Sequence, residues 1–219
     1  MKSYTNISRR LSSYSNKTLW PLAGAASGAA SVGVMALRWN SWGTIKIFGL
    51  EPPQGNAMFF PPGCIFGLTI AILLFFSSKI RSFWRSIILI GMSGIAHYVP
   101  FEAAFRIANF LNYKSEYSLK LIPAGFLAGA IGAAILGGSF YLLYPIEARW
   151  RFAIKIIGFG ALFGTLLFFI FGVGEKTNSF FIGYSLLYVP WQAAISYCLS
   201  LFYAPVQENQ TKLPLQEQP

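Results

Sequence analysis

The sequence predicts an all-α integral membrane protein made of two tandem repeats of about 90 to 100 residues, and three observations support this fold class. The 219-residue chain is 55% hydrophobic and 11% charged, with a mean hydropathy of +0.53, which excludes an ordinary soluble globular domain. Its apolar residues form six separate stretches, and a helix needs roughly 20 such residues to cross a bilayer. A seventeen-residue pattern also occurs twice along the chain.

The six apolar stretches are the candidate membrane helices. Four are long enough to cross, whereas the stretch at 62–76 is short and the one at 152–173 qualifies only when Lys155 is counted. If all six cross, the basic residues divide 11 to 6 in favour of the side that holds the N-terminus, which satisfies the positive-inside rule. The predicted stretches are 19–37, 62–76, 83–110, 121–144, 152–173 and 180–203.

The repeated pattern is the most specific feature of the sequence. Residues 97–113 read HYVPFEAAFRIANFLNY, and residues 187–203, ninety positions later, read LYVPWQAAISYCLSLFY. Seven of the seventeen positions are identical, and Glu102 is exchanged for Gln192, a side chain of similar shape. The chain is therefore predicted to consist of two repeats, each of which ends with this pattern.

The two repeats define the domain organisation. The first stretch of each repeat is rich in small residues and has glycines four apart, which allows a neighbouring helix backbone to approach closely in lipid. These glycines are Gly24 and Gly28 in one repeat and Gly125 and Gly129 in the other. The predicted divisions are a basic tail at 1–18, repeat 1 at 19–114, repeat 2 at 119–204 and a polar tail at 205–219.

The last stretch of each repeat carries a polar side chain two residues after a proline. Pro100 precedes Glu102, and Pro190 precedes Gln192. A proline interrupts the hydrogen bonds of a helix backbone, and a polar side chain at membrane depth often belongs to a functional site. Arg106 follows Glu102 by four residues, so a local ion pair is the structural alternative to substrate binding.

The composition excludes several kinds of chemistry. All seven acidic residues are Glu, so the paired aspartates of a typical Mg²⁺ site are absent. The single histidine, His97, and two distant cysteines, Cys64 and Cys198, are too few for a zinc site. We expect no cofactor and no enzymatic activity, because no nucleophile with its base can be assembled. His97 is interpreted as a packed or interfacial residue, with a proton relay as the alternative.

Several motifs resemble those of the mitochondrial carrier family. Residues 144–147 read YPIE and precede two arginines, which is similar to the P-x-[D/E]-x-x-[K/R] motif of odd carrier helices. FWRS at 83–86 and FFIG at 180–183 resemble the aromatic–basic–Gly motif before even carrier helices. The resemblance implies a carrier-like bundle of four to six membrane helices. Two membrane helices per repeat, as in carriers, would make the repeats parallel, whereas three per repeat would make them inverted. The gate residues that the resemblance implies are Pro145, Glu147, Arg149, Arg151, Trp84, Arg85 and Gly183.

The departures from the carrier pattern determine the functional expectation. Carriers have three repeats and two ion-pair networks that close their cavity alternately, whereas this chain has two repeats and lacks an acid near Arg38 and at 110–114. Without both networks, neither closed state is stabilised against the other. We therefore expect a protein of the mitochondrial inner membrane that has lost transport and serves as a structural or accessory subunit of a respiratory-type complex. The alternative is a working carrier or channel for a small anionic metabolite.

The net charge of +10 indicates anionic partners. Because the chain is apolar, membrane lipids are favoured over nucleic acid, and cardiolipin is a candidate ligand of Arg149 and Arg151. Other membrane-protein subunits are the expected protein partners. The first 17 residues are basic and free of acids, so they resemble a weak mitochondrial transit segment, with a tail held at the membrane surface as the alternative.

Overall fold

The computed structural model describes residues 18–35, 59–77, 82–110, 121–144, 146, 148–168 and 180–202. Within these residues the fold is all-helical and has six principal helices. The two predicted tails beyond Thr18 and Phe202, as well as Pro145 and Glu147, lie outside the described residues. The helices are α1 at 18–35, α2 at Phe60–Ser77, α3 at Phe83–Phe110, α4 at Leu121–Leu143, α5 at Arg149–Gly164 and α6 at Phe180–Phe202.

Each predicted apolar stretch overlaps with one of these helices, although α5 begins earlier than expected and ends at Gly164, where a turn follows within the predicted stretch 152–173. Its first residue is Arg149, so the two arginines of the carrier-like motif belong to its first turn. The preceding residue, Ala148, has φ 50° and ψ 55°, in the left-handed region that a residue with a Cβ rarely adopts. This conformation turns the chain sharply between α4 and α5.

Three helices of the described chain are long and apolar enough to cross a membrane. They are the segments Phe83–Ala108, Leu121–Leu143 and Phe181–Phe202 of α3, α4 and α6. The segment Phe60–Phe76 of α2 is apolar but shorter. Its Phe66 and Ile70 are fully buried in the bundle, whereas Phe76 on its outer side is 83% exposed. The fold is therefore that of a helical membrane protein with one face of α2 in the core.

The closest helix contact joins α4 to α5 through glycines. A Cβ at Gly129 would lie 2.7 Å from the Cα of Gly164 and would overlap the carbonyl oxygen of Gly160. On the other side of the bundle, α1 approaches α6 in the same way, since a Cβ at Gly28 would lie 2.7 Å from the carbonyl oxygen of Tyr188. The prediction that glycines four apart mediate close helix packing is confirmed.

The prolines of α3 and α6 lie inside these helices. Pro100 has no N–H group, so the carbonyl oxygen of Ala96 loses its usual helical partner. This oxygen faces α4 at Gly132, where an added Cβ would lie 2.7 Å away. The missing side chain of Gly132 therefore lets α4 pack against the interrupted turn of α3.

Helices α3 and α6 cross near their prolines and run antiparallel. The ring of His97 lies 5.0 Å from that of Trp191, and the ring of Phe101, further along α3, lies 6.1 Å from that of Tyr188, further back along α6. The parallel orientation implied by the carrier resemblance is wrong for this pair.

Candidate functional site

A group of buried polar side chains lies where α1, α3 and α6 meet. None of its members is more than 4% exposed, and Gln192 is fully buried. We call this group the polar cluster. Its members are Ser27 and Ser31 on α1, Ser93 and His97 on α3, and Tyr188, Gln192 and Ser196 on α6.

The spacing of these residues explains why they converge. On each helix the polar side chains follow one another at intervals of four residues, so they lie above one another on a single face. The glycines of α1 bring its polar face onto α6, because a Cβ at Gly24 would overlap the Oγ of Ser196. A Cβ at Gly28 would meet the backbone of Tyr188. Close backbone approach thus places short serine side chains within reach of the long side chains on α6.

Gln192 is the centre of the hydrogen bonds in the cluster. Its Nε2 lies 3.2 Å from the Oγ of Ser31 and 3.3 Å from the Nε2 of His97. The Oγ of Ser31 in turn lies 2.8 Å from the carbonyl oxygen of Ser27 and 3.2 Å from that of Pro62. The side chain of Gln192 therefore connects α6 to α1 and α3, and through Ser31 to α2.

His97 is packed on several sides by aromatic rings. The Tyr188 ring lies parallel to it at 5.9 Å, the Trp191 ring lies edge-on at 5.0 Å, and the Phe66 ring lies at 5.8 Å. Its Nδ1 is 2.9 Å from the carbonyl oxygen of Ser93. His97 is 4% exposed, so the prediction of a packed histidine is confirmed. The alternative of a proton relay stays a prediction.

Five oxygen atoms of the polar cluster have no hydrogen-bond partner within the described part of the chain. A buried polar atom without a partner costs about 1 to 3 kcal/mol, and such atoms are uncommon in folded proteins. All five such atoms in the described residues lie at this junction of three helices, which makes the cluster the part of the described fold with unmet hydrogen-bonding capacity. The atoms are Ser27 Oγ, Ser93 Oγ, Tyr188 OH, Gln192 Oε1 and Ser196 Oγ.

The cluster is uncharged, and an apolar cavity adjoins it. None of its seven members is Asp, Glu, Lys or Arg. The cavity has a volume of about 50 Å³, shares the rings of His97 and Tyr188 with the cluster, and is otherwise lined largely by carbon atoms. Helices α4 and α5 form its opposite wall with Gly125, Gly129 and Gly164. The site therefore joins hydrogen-bonding groups to a small apolar space.

The residues implied by the carrier resemblance do not reach this site. Trp84 and Arg85 are exposed in the first turn of α3, which lies about 20 Å along the helix from His97 at 1.5 Å per residue. Arg149 and Arg151 are exposed in the first turn of α5, and the Arg149 guanidinium lies 5.2 Å from the centre of the Tyr141 ring. Gly183 is buried in the first turn of α6. The described gate residues are therefore spread over the ends of helices.

Glu102 and Arg106 form the predicted ion pair, with 2.8 Å between Oε1 and Nε. Their side chains are 32% and 80% exposed, respectively. Glu102 is therefore half-buried, whereas Arg106 faces outward. It lies close to the end of α3 at Phe110, where a long side chain reaches outward. Of the neighbouring prolines, Pro100 is buried and Pro190 is half-buried.

Replacing Arg106 with leucine is expected to have a small effect. An exposed pair four residues apart contributes about 0.3 to 0.5 kcal/mol, because solvent and lipid headgroups screen it. Thermal unfolding of the purified protein in detergent measures the effect, with Glu102→Gln as the matched change on the partner. A large drop in melting temperature for either variant would show that the pair is buried in the native membrane protein.

Of the members of the cluster, the sequence indicated Gln192 as a candidate site residue. It also indicated His97 as a packed or interfacial residue, with a proton relay as the alternative. The serines and Tyr188 were missed because each is common in membrane helices when considered alone. A usable signal exists in the sequence, since polar residues recur at intervals of four on three otherwise apolar helices. Which of these faces meet was decided by the tertiary structure.

Comparisons of the chain with protein-family models, with curated proteins and with solved structures found no match, so the resemblance to mitochondrial carriers stays a prediction.

Proposed function

We propose that the protein is a membrane transporter or channel for a small, uncharged, polar solute that binds at the polar cluster. The observation that carries this proposal is the group of five buried oxygen atoms that have no hydrogen-bond partner among the described residues. At membrane depth no bulk water can satisfy them, so the cost of their burial is offset when a solute supplies hydrogen bonds. Four are hydroxyl oxygens, which donate and accept, and the fifth is an amide oxygen, which accepts. A small polyol or amide matches this set.

An uncharged solute fits the cluster better than the anionic metabolite considered from the sequence. The cluster contains no Lys or Arg that would neutralise an anion. Burying an unpaired charge costs far more than burying a polar group that is hydrogen-bonded. The basic residues Arg149 and Arg151 are exposed at the start of α5, where anionic lipid headgroups, including cardiolipin, are the fitting ligands.

The proposal includes an inverted arrangement of two three-helix repeats. We propose that all six helices cross the membrane and that the repeats are related by an axis in the membrane plane that passes near Pro100 and Pro190. The antiparallel crossing of α3 and α6, in which Phe101 contacts Tyr188, supports this relation. Transporters with inverted repeats bind their solutes at the repeat interface, close to interrupted helices. Under this arrangement the polar cluster would lie at the repeat interface, next to Pro190.

The second candidate function is an accessory subunit of a larger membrane complex, such as one of the mitochondrial inner membrane. Large apolar side chains that project from the bundle favour it: Phe76 is 83% exposed, Phe110 is 86% exposed and Trp150 is 77% exposed. Such residues suit a contact with another subunit as well as with lipid. Purification in mild detergent separates the candidates, since a subunit should elute with stoichiometric partners and a transporter with lipid or copies of itself.

Solute flux into liposomes tests the leading proposal. The purified protein is reconstituted, and shrinkage and reswelling are followed by light scattering after addition of glycerol, urea, acetamide, lactate or phosphate. We expect at least one uncharged solute to enter faster than it enters protein-free liposomes, while the two anions do not. Equal rates for all five solutes with and without protein would refute the transport proposal.

Ser31→Ala is expected to reduce this flux by about tenfold. The change removes the hydroxyl that accepts a hydrogen bond from Gln192, and the loss of one such bond costs about 1 to 1.5 kcal/mol. Ser139→Ala is the matched control, because Ser139 is also a largely buried membrane-helix serine and its hydroxyl donates to Ile135 of its own helix. An equal reduction in both variants would indicate a general loss of folded protein.

A further inference from the structure

The hydrogen bonds of His97 define which nitrogen of its ring carries the proton. A carbonyl oxygen accepts hydrogen bonds and cannot donate them, so the contact of 2.9 Å with Ser93 requires a hydrogen on Nδ1. In the neutral ring Nε2 then has a free lone pair, which accepts from the amide nitrogen of Gln192 at 3.3 Å. The ring and the amide are therefore complementary in the neutral state of the histidine.

The Gln192 amide has a second orientation that suits the protonated ring. Its Nε2 now donates to Ser31 and His97, while its Oε1 has no hydrogen-bond partner within the described residues. Rotation by half a turn would place Oε1 between the same two neighbours. It would then accept from the Nε2–H of a protonated His97 and from the hydroxyl of Ser31, which can turn away from the carbonyl oxygens of Ser27 and Pro62.

Among the described residues, the surroundings of the ring contain no fixed charge that would compete with this exchange. Helix α1 contributes Ser31 through Gln192, and α2 contributes Gly63 and Phe66. From α6, Tyr188 stacks on the ring and Trp191 meets it edge-on, and α4 and α5 face it across the cavity with glycines. Of these described neighbours, Tyr188 is the one that titrates, and it is uncharged at neutral pH.

We propose that His97 is a proton-binding site and that proton uptake at its Nε2 reverses the Gln192 amide. The proton comes from hydronium in the aqueous phase, and no other bond is made or broken. When the amide reverses, its Oε1, which accepts hydrogen bonds, turns away from the solute. The two N–H groups of the amide, which donate hydrogen bonds, then face the solute instead. The solute site would thus change from accepting to donating, which couples proton binding to solute binding. This link to the solute rests on the proposed function, whereas the proton site itself does not.

The chain contains a single histidine, so its protonation can be followed without ambiguity. The full-length protein is purified with a histidine-free tag, and its histidine is labelled with a heavy nitrogen isotope. It is then reconstituted in lipid, and the titration of the ring is followed by solid-state NMR. At alkaline pH we expect the ring nitrogens to show the tautomer with hydrogen on Nδ1. On acidification they should convert to the imidazolium signal while circular dichroism stays helical.

Two variants of Gln192 should move the titration midpoint in opposite directions. Gln192→Leu removes the acceptor of the charged ring, so the midpoint should fall by about one to two pH units, the equivalent of one hydrogen bond to a charged group. Gln192→Glu supplies a carboxylate that stabilises the charged ring, so this variant should raise the titration midpoint. Ser200→Ala, on the same helix and bonded to Tyr197, should leave it unchanged.

A ring that stays neutral at every pH where the helices persist would overturn the proposal. So would a midpoint that is the same in the wild type and both Gln192 variants, because the amide would then not respond to the proton. These results do not depend on solute flux. If no solute crosses the liposomes but the midpoints shift as described, the proton site stands and the transport proposal fails.

Discussion

Gly129→Ala is expected to destabilise the helical bundle by about 1 to 3 kcal/mol or more, the range for overpacking a core that cannot relax. The new Cβ would lie 2.7 Å from the Cα of Gly164 and would overlap the carbonyl oxygen of Gly160. Both obstacles are backbone atoms, so relief requires α4 and α5 to move apart. We expect a lower melting temperature in detergent and a reduced yield of monodisperse protein.

Gly138→Ala is the matched control on the same helix. No atom lies within 4 Å of a Cβ at this position, so the added methyl meets open space. Alanine is the better helix former by up to about 1 kcal/mol, and this variant should be neutral or slightly more stable. Equal destabilisation by the two changes would contradict a close contact between α4 and α5.

Gln192→Leu is expected to abolish solute flux, with a loss of about 100-fold or more. The change removes the only amide of the polar cluster, and with it the two contacts to Ser31 and His97 and the free Oε1. Two or three hydrogen bonds lost at about 1 kcal/mol each account for a reduction of this size. The leucine fills a similar volume, so the bundle should persist with a modest loss of stability.

Glu102→Leu tests whether the loss of solute flux in Gln192→Leu is specific to the polar cluster. Glu102 occupies the repeated position ninety residues earlier, but it lies on the outer part of α3 and pairs with the exposed Arg106. Flux through this variant should equal that of the wild type. Circular dichroism and thermal unfolding of both leucine variants confirm that each is folded. Normal flux through Gln192→Leu would remove the polar cluster from the transport pathway.

The helices could be predicted from the sequence because hydropathy is a local property. The stretch at 83–110 coincides with α3, and the stretch at 180–203 extends one residue beyond α6. The start of α5 was placed three residues late, since the left-handed conformation of Ala148 has no sequence signal of the kind that a glycine or asparagine would give. The glycines four apart were also readable, because their role depends on spacing along one helix.

The ion pair between Glu102 and Arg106 shows how far local reasoning extends. Their separation of four residues on one helix was sufficient to predict the contact, which the structure contains. Their exposure was not predictable in the same way. It depends on which side of α3 is covered by α2, α4 and α6, and on the distance of Arg106 from the end of the helix.

The sequence by itself determined that this protein has apolar helices, where most of them begin and end, and which glycines allow close approach, since each property follows from neighbours on the same helix. The tertiary structure decided that α3 and α6 run antiparallel and that three modest polar faces meet around Gln192. A single serine, tyrosine or glutamine in a membrane helix carries no specific signal. Its hydrogen bonds contribute strongly to the free energy only when burial removes every competing partner. That burial is a property of helices brought together from opposite ends of the chain, as the contact between Ser31 and Gln192 illustrates.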